Sequence, residues 1–233
     1  MKLRILSAVL VTTTVLATAS VPSGASTTTM AYAQLRIVIA SANAEQSVRY
    51  MISATISGKQ LLFNTDVGRN TGRQRITLTE AGKSKTVLVE LIAGALYVKG
   101  DEQILTTFLG ISTSTSTRLA NKWFTIPKNN AAFATVAQGL TLSSLMAQVA
   151  MTKSVTALPA AVLSSEKVDV LTGTSVKTAL EPAYSETLYF RAAGNPLPFE
   201  VTQTFQGTLA TILFSHWNET INLTAPKTTL KFG

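Results

Sequence analysis

Cysteine is absent from the 233 residues, and histidine occurs once, at His216. The first absence removes disulfides and thiolate chemistry, so the core alone must hold the fold together. With one His and no Cys, the zinc spacings His-x-x-x-His and Cys-x-x-Cys cannot occur. Gly-x-Ser-x-Gly is missing, so His216 has no activated serine to serve in a triad. Walker A and Gly-x-Gly-x-x-Gly sequences are missing too. Charge is sparse at 14% of residues, and the acids stand singly apart from Asp101-Glu102, a pair that suits a helix start better than acid–base work. Asp66 and Glu90 lie in strands among apolar neighbours and are read as facing solvent. No enzymatic activity, metal or cofactor is expected.

The charge that is present is unbalanced, with 20 Lys+Arg against 12 Asp+Glu. It is densest at Arg69, Arg73, Arg75, Lys83 and Lys85, at turns and on the polar sides of strands. Aromatics are not interleaved there, which argues against a nucleic-acid partner. A solvated sheet edge is the plain reading, and transient contact with an anionic membrane surface is the sharper one.

The chain opens with Met1-Lys2-Leu3-Arg4 and an apolar run over 5–19, shorter than the roughly 20 residues that cross a bilayer. Basic start, short apolar middle and small-residue tail make a secretory signal peptide. Ala31-Tyr32-Ala33 is a suitable cleavage site, which divides the chain into 1–33, signal and small-residue spacer, and 34–233, a single domain. A cut near Ala25 is the alternative, and an uncleaved anchor is a third. Val15-Leu16-Ala17-Thr18-Ala19-Ser20 has the small residues of a lipoprotein signal but no thiol to acylate, so a secreted protein without a lipid anchor is expected.

Residues 48–99 carry the clearest pattern. Val48, Tyr50, Ile52, Ala54 and Ile56 alternate with polar residues, and similar runs follow, separated by turns at Gly58, 68–72, Ala81-Gly82 and Ala93-Gly94. Period-two alternation with about ten residues per repeat predicts an antiparallel meander with one apolar face to cover. Residues 34–45 predict a helix before it. After it, Asp101 precedes a helical pattern, 112–117 is a Ser/Thr tract that suits a loop or a weak helix, and 123–126 reads as a short strand. Helices follow over 130–138 and from Thr141, where Leu142, Leu145, Met146 and Val149 recur at i, i+3, i+4, i+7. Strands return over 167–171, 186–192, 199–206, 208–214 and 220–223, while Pro159 limits 155–162 to an edge or loop. The order predicts an α+β protein, with an antiparallel sheet and helices packed on one side.

Four local sequences then carry a resemblance: Leu96-Tyr97-Val98-Lys99-Gly100-Asp101, Ala120-Asn121-Lys122-Trp123-Phe124-Thr125-Ile126-Pro127, Gly194-Asn195-Pro196-Leu197-Pro198 and Phe214-Ser215-His216-Trp217-Asn218. Leu140-Thr141-Leu142-Ser143-Ser144-Leu145 adds a weaker fifth. In this order they resemble the actinobacterial LppX/LprG-type lipoproteins, whose fold is similar to the LolA and LolB carriers. The resemblance implies a strongly curved antiparallel half-barrel with helices over its concave face. It also implies an apolar cavity between them for acylated lipids or glycolipids in transport across the envelope. The chain departs from the family in lacking the lipobox cysteine, and His216 stands where relatives often have a small or acidic residue.

On this reading the chain is an exported, non-enzymatic lipid carrier or binding protein, monomeric, with an acylated lipid or glycolipid as ligand. It would make transient contact with an anionic membrane surface or with envelope transport machinery. The expected cavity residues are Ile52, Ala54, Ile76, Leu78, Val87, Val89 and Leu91 from the meander, Phe190, Val201 and Phe205 from the later strands, and Leu142, Leu145, Met146 and Val149 as the cover. The alternative is a structural or interaction module of the envelope whose half-barrel is filled by its own side chains.

Overall fold

The computed structural model describes residues 25–175 and 184–232. The basic start and apolar run of the expected signal peptide lie outside them. The chain begins with helix α1 (Ala25–Ala44) and then the meander β1 (Ser47–Ile56), β2 (Lys59–Gly68), β3 (Gly72–Glu80), β4 (Lys83–Ile92) and β5 (Ala95–Gly100). A helical block follows: α2 (Glu102–Leu109), α3 (Thr113–Leu119), the short strand β6 (Phe124–Ile126), α4 (Ala131–Val136) and α5 (Leu142–Val149). Strands β7 (Lys153–Leu163), β8 (Glu166–Ser175), β9 (Tyr184–Arg191), β10 (Pro198–Phe205), β11 (Thr208–Ser215) and β12 (Leu230–Lys231) complete it. All twelve strands form one sheet in the order β12-β6-β5-β4-β3-β2-β1-β11-β10-β9-β8-β7. Every pairing is antiparallel except β12 with β6. The two ends do not pair, so the half-barrel stays open.

Tight hairpins set this register. Ser57-Gly58, Ala81-Gly82, Ala93-Gly94 and Gln206-Gly207 all have positive φ at both positions, the two-residue turn whose twist matches that of paired strands. From these turns Val48, Tyr50 and Ile52 lie opposite Val67, Thr65 and Phe63, which keeps the apolar positions on one face. Pro159, which cannot donate to a ladder, falls in the edge strand β7 where its register with β8 shifts between Leu158 and Ala161.

Two apolar clusters fill the covered face. One joins α1 and α5 to β1 and the later strands, through residues such as Leu35, Val38, Leu145, Met146, Val201 and Phe190. The other joins the α2–α4 block to β2–β6, through Phe63, Val87, Val98, Ile104, Leu119 and Leu140. Polar caps start the helices of the block. Ser112 accepts from Thr115 N, Asn130 from Ala132 N, and Thr141 forms a capping box with Ser144. The Ser/Thr tract is thus a helix. Asp101 also precedes its helix, but its carboxylate accepts from Thr86 N at 2.9 Å instead of capping.

Two expectations are corrected. The first helix starts at Ala25 instead of residue 34, because Ala31 is buried with Leu35, Val38 and Ala42 as one continuous stripe in the first cluster. Residues 220–223 form no strand. The edge of β1 is already taken by β11, and His216 and Asn218, both at positive φ, turn the chain out of the sheet. The chain then lines a groove with Arg49 and Arg73, on the polar side of the sheet.

The link between α4 and α5 comes close to β3. A Cβ placed on Gly72 would stand 2.3 Å from the Leu140 carbonyl oxygen, so only glycine fits there. Gly72→Ala should destabilise the fold by about 1–3 kcal/mol in urea titration. Gly68→Ala, whose nearest contact would be 3.3 Å, should cost less. Equal stability of Gly72→Ala and the parent chain would rule out this seating of the link.

Candidate functional site

The expected cavity residues all lie on the covered face, but the structure divides them. Leu142, Leu145, Met146, Val149, Phe190 and Val201 belong to the first cluster. Ile76, Leu78, Val87, Val89 and Leu91 belong to the second, under α2–α4. The α5 stripe therefore covers the later strands and the start of β1, while the earlier helices cover the meander. Phe205 is buried outside both clusters, and Ala54 is half-buried at the open end of β1. Ile52, half-buried, packs against both clusters and marks the seam between them.

A polar row runs along this seam, one register position from Ile52. Tyr50, Thr65 and Gln74 are direct neighbours across β1, β2 and β3, and all three are buried. Gln74 Nε2 donates to Tyr50 Oη and to Thr65 Oγ1, each at 3.1 Å. Tyr50 Oη donates to Gly139 O at 3.1 Å and so fastens the α4–α5 link to the sheet. Burial pushes the Tyr50 phenol up to about 12, so it stays protonated and can donate at neutral pH. Sequence reasoning placed Tyr50 on the apolar face and overlooked Thr65 and Gln74. The signal was there: both are polar residues at inward positions of strands whose other inward positions are Leu61, Phe63, Val67, Ile76 and Leu78.

The opposite face of the meander carries a ladder of charge. Arg49 Nε donates to Asp66 Oδ1 at 2.7 Å and Arg73 Nε to Glu90 Oε1 at 2.7 Å, while Asp66 and Arg73 are register partners. Asp66 stabilises the Arg49 cation and raises its pKa. Glu90, read from the sequence as facing solvent, lies on this face but is only 5% exposed and paired with Arg73. A groove of about 280 Å³ lies between this ladder and residues 219–223, with Ile221 and Leu223 in its wall. His216 Nε2 sits 3.9 Å from a Glu219 oxygen at its edge, and Trp217 stacks on Phe214. A second groove of about 290 Å³ brings Leu78 together with Lys83 and Lys85 beside the β3–β4 hairpin.

The residues behind the sequence resemblance sit at joints. Asn195 and Asn218 both donate to the Glu45 carboxylate at the end of α1, and Arg69 donates to the carbonyls of Ala44 and Glu45. Asn121 N donates to Gly100 O at 2.8 Å, tying the end of α3 to β5.

A search of solved structures returns LprF from Mycobacterium bovis, with a TM-score of 0.56 and 12% identity over 85% of this chain and 97% of that one. It also returns the Mycobacterium tuberculosis lipoprotein LppX, with a TM-score of 0.54 and 14% identity over 84% of this chain and 99% of that one. The fold is that of LprF and LppX. No family model and no curated protein matches the sequence. At this identity the likeness to LprF and LppX extends to architecture, not to individual side chains. Nor is any helix among the described residues long and apolar enough to cross a membrane.

The Tyr50 contact makes a measurable prediction. Tyr50→Phe should lose about 1–3 kcal/mol, because the Gly139 carbonyl and the Gln74 amide are each left with an unmet partner. Since the phenol titrates near 10 when unfolded and about 12 when folded, the native state holds its proton longer. Stability conferred by Tyr50 is therefore full below pH 10 and declines as pH rises from 10 to 12. Denaturation at pH 9 to 12 should show a shallower decline in Tyr50→Phe than in the parent. Parallel profiles would refute this placement of the phenol.

Proposed function

We propose that this protein is an exported, non-enzymatic carrier or binding protein for acylated lipids or glycolipids, a member of the LppX/LprG-type lipoproteins. The observation that carries this reading is a long apolar sheet face covered by separate helices, in a fold shared with LprF and LppX over most of the chain. Acyl chains need no directional partner, since each buried CH₂ contributes about 0.8 kcal/mol. A chain of about 15 methylenes gains roughly 12 kcal/mol in this way, comparable to about 6–12 kcal/mol for the four buried side chains of α5. The seam at Ile52 and Ala54 is the natural line of entry, because these are the candidate residues still half-exposed. Lys83 and Lys85, beside the groove that holds Leu78, would meet an anionic membrane surface during transfer.

The second reading, a structural module with a self-filled half-barrel, draws on the tight burial of the other candidates, from Val87 and Val201 at 0% to Leu91 at 8% exposed. Lipid uptake separates the two. Native mass spectrometry of protein purified from its host should find co-purifying acylated mass. Ile52→Trp, at a half-buried position, should stay folded and lose uptake of a fluorescent phospholipid from vesicles. Unchanged uptake in Ile52→Trp would remove the seam as the entry, and a clean protein mass unaffected by added lipid would favour the structural module.

Export adds a further expectation. Cleavage after Ala33 would remove Ala31, which is 1% exposed in the first cluster, and would cut α1 short. Cleavage near Ala25 leaves the buried stripe whole. The intact mass of the exported protein should place its first residue close to Ala25, and a chain starting at Gln34 would overturn this.

A further inference from the structure

Beside the polar row lies one donor that the fold does not use. Gln148 lies on α5 between the buried Leu145 and Val149, and its Nε2 is closed to solvent without a hydrogen-bond acceptor among the described residues. Only its backbone is engaged, where the Gln148 carbonyl accepts from Tyr184 Oη at 3.5 Å. An unmet buried amide donor is costly, and natural cores hold few of them. Its position is informative as well. A side chain on Gly139 would stand 2.8 Å from Tyr50 Oη and 3.3 Å from Gln148 Nε2, so both polar atoms pack against the same glycine of the α4–α5 link. Tyr50 and Ile52 are inward neighbours on β1, so the Gln148 donor lies close to the seam between the two apolar clusters.

The chemistry of the surroundings restricts what could occupy such a position. Tyr50, Thr65, Gln74 and Gln148 are all neutral, and no cation belongs to the row. A carboxylate or phosphate would enter this buried row without a counter-charge, which is strongly unfavourable. A plain hydrocarbon would leave Nε2 unmet. A neutral carbonyl oxygen flanked by hydrocarbon satisfies both demands, and that is the chemical form of an acyl ester.

Building on the lipid-carrier reading, we propose that Gln148 Nε2, beside Tyr50 Oη, receives the ester carbonyl oxygen of the acylated ligand at the seam, with hydrocarbon packed in the clusters on either side. The ester group then fixes the depth of the ligand in the cradle. Gln148 makes the protein prefer ester-linked lipids to their ether-linked counterparts, which have the same chains and no carbonyl.

The test titrates the full exported chain with a fluorescent diacyl-ester phosphatidylcholine and with its dialkyl-ether analogue, and repeats both with Gln148→Met, which keeps the side chain's length and removes the donor. The parent should bind the ester lipid about tenfold more tightly than the ether lipid, and Gln148→Met should bind both at the ether affinity. Its melting temperature should equal or exceed that of the parent, because the unmet donor is gone. Equal affinities in the parent, or a full ester preference kept by Gln148→Met, would overturn the role of Gln148 while leaving the carrier intact. Binding of neither lipid by the parent would overturn the carrier reading, and this assignment with it.

Discussion

The arrangement of the covered face depends on one buried hydrogen bond, from Tyr50 Oη to the carbonyl of Gly139. The side chain of Leu140, buried in the second cluster, holds the same link between α4 and α5 against the sheet. Around it the backbone of Leu140 comes so near Gly72 that no side chain fits between them. Together these contacts decide where α5 begins, and so which strands its apolar stripe reaches. Had the link settled elsewhere on the meander, Leu145 and Met146 would not face the later strands, and α1 would have no partner helix over β7. The polar row thus fastens the cover as well as lying at the boundary of the two cores.

Much of the fold was legible because its signals are local. Alternation in 48–99 gives five strands, and the X-Gly pairs at Ala81-Gly82 and Ala93-Gly94 give turns whose twist closes each hairpin in register. The stripe Leu142, Leu145, Met146, Val149 is a helix at the residues that carry the period. The motifs behind the family resemblance work for a different reason. Asn195 and Asn218 lie in separate segments, yet both reach Glu45. Such residues pin one element to another instead of lining the apolar face. Those motifs therefore report architecture well and ligand poorly.

What was not legible depends on long-range partners. Residues 220–223 alternate as a strand should, but alternation cannot reveal that the neighbouring edge is already paired. The start of α1 was hidden by composition, since Ser, Thr and Ala carry no period of their own. Ala31 is inward only because Leu35, Val38 and Ala42 continue its line along the same helix. The division of the candidate residues into two clusters was hidden as well. Each strand shows which of its faces is apolar, whereas the helix that covers that face is set by a link whose position rests on a glycine and a tyrosine.

The same division bears on how such a cradle could hold a chain at all. In a single continuous core, entry of a ligand must break packing everywhere at once, because interiors are close-packed and transmit strain. Here the two clusters meet at one half-buried side chain, Ile52, beside a row of hydrogen bonds. The polar row at that boundary contributes hydrogen bonds instead of apolar packing. A sheet face built as two cores with a polar seam has a defined line along which its packing is interrupted. Such an arrangement reconciles the burial of the candidate residues with the proposed lipid-carrier reading.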